Sequence, residues 1–424
     1  MFKQIFKKVI VYILMLEARA VLWKYKPKIV SVTGSVGKTT TKDTIYTVLS
    51  SAFFVRKSEK SFNSEIGVPL SILGVQNGGN NPVIWIKNIF EGLVLILFKN
   101  HYPMWLVLEV GADKPGDIEY IAKWLKPDIA VVTRFAEIPA HVEYFESPKD
   151  VVEEKKKLVE YMQKDGFLIL NFDDKQVFEI KEEYNRKTVT YGMEDGADIR
   201  GSNNMLLYED GRVTGITFKA NQNGTSIPVN IKGSLGIQHI YPALAAFAVG
   251  FSQGLNLVSM SQALSSDHKS QPGRMKLIEG INNSTIIDDS YNSSPLAVRW
   301  ALRTMKEIET SGRKIAVLGD MMELGKYTAD EHKKIGNLVS EVCDVLVAVG
   351  LRSKSTVEGA LESGMKEKNI LHFEDSILAG EYMKNFVKEG DVILVKGSRW
   401  AMRMERVVET IMAEPERADD LLVR

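Results

Sequence analysis

Apolar positions along the chain fall into two rhythms, and the places where one gives way to the other mark its elements. Residues 28–32 form a short β-branched run, and residues 40–52 carry Ile45, Val48 and Leu49 at helical spacing. Residues 105–110 (WLVLEV) and 128–133 (DIAVVT) are continuous apolar runs, the pattern of strands buried on both faces of a parallel sheet. A helix-like segment, 116–125, lies between them. Residues 150–163 read as a helix and 167–171 (FLILN) as a further strand. Residues 198–232 break the alternation: they are polar, punctuated by Gly and Asn, and rich in β-formers, with turns at Glu209-Asp210-Gly211 and 221–224. This predicts an antiparallel layer on the same domain. Residues 240–255 return to helix.

A second strand–helix alternation begins near Pro272-Gly273, with candidate strands at 284–287, 314–318, 345–349, 370–373 and 392–395. Such alternation implies a parallel sheet built by right-handed crossovers. The fold class expected is α/β: a central phosphate-loop ATPase-type parallel sheet with an added antiparallel layer, followed by a C-terminal Rossmann-like α/β domain. A length of 424 residues suits two or three domains. The expected divisions are an N-terminal amphipathic helix (1–27), a central domain (28–272) and a C-terminal domain (273–424).

The front of the chain has two readings. Residues 9–16 are apolar and flanked by Lys3, Lys7, Lys8, Glu17 and Arg19. That run is far below the ~20 residues of a spanning helix, and no small-residue cleavage site follows it. It is either a helix docked on the protein or one lying on a membrane surface through its lysines. Docking is favoured. Residues 83–98 (VIWIKNIFEGLVLILF) show the same ambiguity.

Composition narrows the function little. The 54 lysines and arginines balance 54 aspartates and glutamates, so the totals point away from nucleic acid. The single cysteine, Cys343, cannot form an internal disulfide, which fits a reducing, cytoplasmic location. Within its apolar run it reads as a buried small residue rather than a reactive thiol.

The chemistry is concentrated at Thr33-Gly34-Ser35-Val36-Gly37-Lys38-Thr39-Thr40, between a strand and a helix. Gly34 and Gly37 let the backbone wrap phosphate oxygens, and the helix start points free N–H groups at them. Lys38 adds a positive charge, and a hydroxyl of Thr39 or Thr40 can ligate Mg²⁺. A plain Gly/Ser turn is the bland alternative; Gly-Lys-Thr-Thr after an apolar strand speaks against it.

With two residues between its glycines instead of four, this loop resembles that of the Mur ligases of cell-wall synthesis and their folylpolyglutamate synthase relatives. The resemblance runs in order through most of the chain. It takes in Asn63-Ser64-Glu65-Ile66-Gly67-Val68-Pro69-Leu70, Glu109-Val110-Gly111-Ala112, His141, Lys155 and Pro272-Gly273-Arg274-Met275. Three further segments resemble the branch that adds D-alanyl-D-alanine to a UDP-N-acetylmuramoyl-tripeptide: Asp288-Asp289-Ser290-Tyr291-Asn292-Ser293-Ser294-Pro295, Leu318-Gly319-Asp320-Met321-Met322-Glu323-Leu324-Gly325 and Val395-Lys396-Gly397-Ser398-Arg399.

The resemblance implies an ATP-dependent ligase that activates a carboxylate as an acyl phosphate, which an amine then attacks. Its cofactors would be ATP and Mg²⁺, and its partners small peptide and nucleotide-sugar-like substrates. Lys38, Arg274 and the loop would hold phosphates; Thr39, Glu109 and His141 would ligate magnesium; Lys155 would be the lysine carbamylated in many members. Gln238 or His239 would lie by the base and Asp289 by ribose or phosphate, while Asn63, Asn292, Asp320 and Glu323 would meet substrate. Bland readings stand beside these: a charged helix face for Lys155 within Glu153–Lys157, and helix caps for Asp320 and Glu323.

The chain departs from the family pattern in places. Lys157 stands where relatives often have glutamate. Gly236-Ile237-Gln238-His239-Ile240-Tyr241-Pro242-Ala243 replaces the usual Gly-x-His-Asn-x-x-Asn-Ala, and Pro242 has no side-chain amide. About thirty residues precede the loop, where relatives in this branch carry a domain gripping the UDP-sugar. The expectation is that residues 2–23 take its place at a membrane or on a partner. Rival functions are a Mur-type ligase for another carboxylate acceptor, such as a poly-amino-acid or folate-like acid, and a nucleotide-binding partner protein without ligase activity.

Overall fold

The computed structural model describes residues 2–59, 61–267 and 270–423. Its first sheet contains β1 (Lys28–Thr33), β2 (Val55–Lys57), β3 (Trp105–Glu109), β4 (Ile129–Val132), β5 (Phe167–Asn171), β6 (Lys187–Gly192), β7 (Ile199–Glu209), β8 (Arg212–Gln222) and β9 (Thr225–Lys232). The spatial order is β2-β3-β1-β4-β5-β6-β7-β8-β9. Pairing is parallel from β2 to β7 and antiparallel from β7 to β9. The antiparallel segment predicted at 198–232 thus continues the parallel sheet through a short junction, Tyr191 with Ile199 and Gly192 with Arg200.

Alternation along the strands assigns side chains to two cores. Val30, Val32 and Val107 point toward α2 (Lys38–Ser50) and the helix Ile237–Ser252, joining Ile45, Val48, Leu49 and Phe247. Ile29, Leu106 and Leu108 point the other way, toward α1 (Phe2–Tyr25), α3 (Gly67–Leu73), α4 (Pro82–Leu97) and α5 (Asp117–Leu125). Burial on both faces is why these strands read as unbroken apolar runs.

Docking is what the structure gives α1. Leu14, Ala18 and Val21 are fully buried. Lys24 Nζ donates to the carbonyls of Leu95 (2.9 Å) and Ile96 (3.0 Å), and the Tyr25 hydroxyl also donates to Leu95 (2.9 Å). Two side chains of α1 therefore satisfy carbonyls at the end of α4 that no helical N–H can reach. The lysines invoked for membrane contact, Lys3, Lys7 and Lys8, have side chains outside the described residues. Among the described residues no helix is long and apolar enough to cross a membrane.

The second sheet has β10 (Lys276–Glu279), β11 (Thr285–Asp289), β12 (Lys314–Gly319), β13 (Val345–Val349), β14 (Ile370–Phe373) and β15 (Val392–Lys396), in the order β10-β11-β15-β12-β13-β14. All pairs are parallel except β10 with β11. The all-parallel expectation fails at β10, four residues too short to carry a period. Cys343 is buried, and burial pushes its thiol up to about 12, which leaves it inert.

Candidate active site

At the end of β1 the chain turns sharply into α2. Gly34 has φ +142°, and a Cβ there would lie 2.0 Å from Thr133 Oγ1; Gly37 has φ +81°. Only glycine fits both conditions. The end of β4 then braces the loop: Ser35 N donates to Arg134 O (2.7 Å), and Thr133 Oγ1 donates to Val36 O (2.7 Å). Lys38 Nζ folds back onto Gly34 O at 2.9 Å. Burial holds its pKa below the ordinary amine value, partly opposed by the charge of Glu109.

Next to the loop is a chain of contacts that crosses from one sheet to the other. Thr39 Oγ1 donates to Glu109 Oε2 (2.7 Å), and Asn63 Nδ2 donates to Glu109 Oε1 (3.0 Å). Arg274, just before β10, donates from Nη2 to Thr39 Oγ1 (3.0 Å). Its guanidinium lies 4.2 Å from the ring centre of Tyr291, whose hydroxyl is 2.8 Å from Ser61 Oγ. Of the two candidate threonines, Thr39 is the one that faces Glu109; Thr40 lines the same cleft.

The cleft, of about 350 Å³, is lined from both sheets, with Lys38, Glu109, His141, Arg274, Asp289 and Asn292 among its walls. Glu109 and Thr39 offer hard oxygen atoms that fit Mg²⁺, an ion that takes a few protein groups and completes its shell with phosphate and water. Among the described residues no three His, Cys, Asp or Glu side chains cluster into a metal site by themselves. His141 lines the same cleft as Glu109 and Thr39, and its own contacts reach across it. It has φ +66°, and its Nδ1 lies 2.8 Å from Glu323 Oε2 of the second unit, with Nε2 3.9 Å from Asp113. This contact depresses the Glu323 pKa. His141 is therefore engaged across the cleft, opposite the residue expected to meet substrate.

Lys155 is buried on α6 (Pro148–Glu160), and burial followed by the charge of Lys38 lowers its pKa to about 7. Its neighbour Glu154 accepts from the amides of Gly116 (2.9 Å), Ile118 (2.7 Å) and Glu119 (3.1 Å), pinning α6 to the start of α5. The plain charged-face reading of Lys155 is thereby excluded.

Other expected residues fall into supporting places. Asp289 Oδ2 accepts from Lys396 Nζ (2.6 Å), which also donates to Asn292 O (2.8 Å). His239 is buried, with Nε2 3.0 Å from Arg274 O, so it steadies the crossing between the sheets instead of presenting that nitrogen to a base. Asp320 needs a larger correction. It is 2 % exposed and absent from the cleft wall, with Oδ1 accepting from Ser353 N (2.8 Å). Neither Asp320 nor Glu323 caps the helix Thr328–Val342.

The matches to known proteins cover both sheets. The family model described as "Mur ligase middle domain" matches residues 32–85 and 93–250, and "Mur ligase, glutamate ligase domain" matches residues 273–399. A UDP-N-acetylmuramoyl-tripeptide--D-alanyl-D-alanine ligase of Bacillus subtilis is 30% identical over 399 residues, covering 94% of this chain and 79% of the relative. The chain belongs to the Mur ligase family.

Among solved structures, a MurF ligase from Thermotoga maritima in complex with ADP superposes with a TM-score of 0.76 at 26% identity, covering 97% of this chain and 84% of that one. MurF from Acinetobacter baumannii, at 24% identity and a TM-score of 0.76, shares the fold. As a Mur ligase the chain is an ATP-dependent, amide-forming enzyme, with Mg²⁺ the usual metal partner.

Sequence reasoning assigned no role to Ser61, Tyr291, Lys396 or Glu154. Tyr291 and Lys396 lie inside motifs it quoted, so their place was signalled and only their contacts were missing. Nor did it find the cavity of about 330 Å³ that adjoins the cleft at Trp300. There Arg134 lies 5.1 Å from the Trp300 ring centre and Tyr241 stacks on the same ring at 6.1 Å. Tyr241 stands within the segment that departs from the family pattern.

Proposed function

We propose that this Mur ligase joins D-alanyl-D-alanine to a UDP-N-acetylmuramoyl-tripeptide, with ATP hydrolysed to ADP and phosphate, in peptidoglycan precursor synthesis. The 30% identity to the Bacillus subtilis ligase supports the choice of substrates, and the contact of Arg274 with Thr39, which brings the second unit onto the phosphate loop, supports the phosphoryl chemistry. The division behind this reading is 1–27, 28–272 and 273–424.

A carboxylate has a poor leaving group, so it must be activated before an amine can displace it. Transfer of a phosphoryl group to the carboxylate oxygen gives an acyl phosphate; attack by the amine then expels phosphate and leaves the amide. Such transfer depends on positioning and charge neutralisation. Lys38, now resting on carbonyls of its own loop, would turn to the terminal phosphates, and Arg274 would join it from the second unit. Thr39 and Glu109 would hold Mg²⁺, which neutralises phosphate charge when bound. The low pKa of Lys155 supplies an unprotonated amine at neutral pH, the form that reacts with carbon dioxide to give a carbamate. Asp289 would contact ribose or phosphate, with Lys396 holding it in place. The Trp300–Tyr241 cavity suits a flat base better than the His239 edge does, because its walls are aromatic. Asn63, Asn292 and Glu323 remain substrate-side groups, Glu323 once released from His141.

Phosphate release is measured with each substrate omitted in turn. The reading expects release only with both the tripeptide precursor and D-alanyl-D-alanine present; release with neither, or none with both, overturns it. Lys38→Ala is expected to abolish ADP formation with unchanged circular dichroism, and substantial turnover would remove Lys38 from its phosphate role. We further infer a peripheral membrane contact through residues 1–27.

A further inference from the structure

The outer side of α4 is apolar and uncovered. Val83, Ile86, Phe90, Leu93 and Leu97 follow one another at steps of three, four, three and four, so they form a single stripe along the helix. All five are exposed, Phe90 at 66 % and Leu97 at 72 %. Beside this stripe runs α1, whose Val9, Tyr12, Leu16 and Trp23 are likewise exposed, Trp23 at 80 %. The two helices are locked together by the bonds from Lys24 and Tyr25 to the end of α4 and by Glu17 packing against Gly92. Because α1 and α4 pack side by side, the two exposed apolar stripes lie on neighbouring helices instead of being scattered singly.

We propose that this composite face, centred on α4, lies on an anionic lipid surface. The inference rests on the peripheral contact proposed for residues 1–27 and moves its centre to α4.

Charge selects the occupant. Among the residues whose side chains are described, the exposed cations on and next to the two helices are Arg19, Lys26, Lys87 and Lys99; the partly exposed Glu91 pairs with Lys87 at 3.5 Å and offsets its charge, so the balance stays positive. A basic rim around an apolar face complements acidic headgroups. A second copy meeting this face would instead bring two basic rims together. Tyr12 and Trp23 combine an apolar ring with a polar edge, which suits the boundary between headgroup and hydrocarbon. Neither α1 nor α4 has the length and apolarity to cross, so the face would lie in the plane of the surface.

The test is flotation of the intact chain with phosphatidylcholine vesicles, with and without phosphatidylglycerol. Wild type is expected to float only with phosphatidylglycerol. Ile86→Glu/Phe90→Glu in α4 is expected to stay at the bottom, as is Lys87→Glu/Lys99→Glu, and both should keep wild-type binding of ADP as proof of folding. Tyr12→Glu/Trp23→Glu in α1 is expected to reduce flotation without abolishing it. If the α4 variants float like wild type and the α1 variant does not, the α4 assignment fails and the contact through residues 1–27 survives. If wild type never floats, both fail. Concentration-dependent dimerisation that Ile86→Glu/Phe90→Glu abolishes, without flotation, gives the face to a second copy and overturns the proposal.

Discussion

Two helices of 16 residues each, α4 and Ile237–Ser252, are the chain's most apolar, and they are used in opposite ways. Ile237–Ser252 is enclosed nearly all round: Leu244, Ala245, Ala246, Phe247, Ala248 and Val249 are each fully buried between the first sheet, α2 and the helix Leu257–Asp267. In α4 only Trp85, Asn88 and Gly92 are buried, and an apolar stripe faces outward. In the first helix apolarity is accounted for by the core. In the second it exceeds what the fold uses, and that surplus is the feature needing a function.

The contrast can be broken most sharply by truncating one aromatic ring in the core helix. Phe247→Ala is expected to cost about 3–5 kcal/mol in urea unfolding, because a fully buried ring leaves a cavity. A loss below about 1 kcal/mol would mean that this site is not the closed core described.

Next in size is the contact between α1 and α4. Glu17 is buried against Gly92, neither of its oxygens has a hydrogen-bond partner among the described residues, and burial pushes its pKa up to about 7. The folded state thus binds a proton that the unfolded chain releases at ordinary carboxylate pH. This group's contribution to stability is full below that ordinary value, falls as pH rises toward about 7, and is lost above it. Glu17→Gln should remove this slope and stabilise the protein at pH 8 by on the order of 1–3 kcal/mol. Parallel pH–stability curves for the two proteins would refute the assignment.

Lys24→Met leaves the Ile96 carbonyl at the end of α4 without its side-chain donor and is expected to cost about 0.5–1.5 kcal/mol, read from thermal unfolding. Smallest of all, Phe90→Ser on the outer stripe should change stability by no more than about 0.5 kcal/mol. A loss comparable to Phe247→Ala would show that the stripe is covered within the chain, and the comparison would collapse.

Much of the fold was legible in the sequence because its signals are local. The runs at 105–110 and 128–133 are strands, since a sheet covered on both faces has no polar side to advertise. The phosphate loop was legible because two glycines and a lysine between strand and helix allow few other uses. Harder to read were β10 and the β6–β7 junction, where a few residues pair by virtue of distant neighbours. Residues 83–98 could be recognised as apolar, but not as a helix whose outer side stays open.

For the site, sequence picked out the chemical inventory: Lys38, Thr39, Glu109, His141, Arg274 and Asp289 all line one cleft. Tertiary structure alone decided which of them touch. His141 faces Glu323 because the second unit meets it across the cleft, Asp320 turns inward to Ser353, and Lys155 loses basicity because it is buried on α6 and lies near the charge of Lys38. Residue type and spacing record what a short stretch can do. Which groups meet across 235 residues, as Arg274 and Thr39 do, depends on how the two sheets pack.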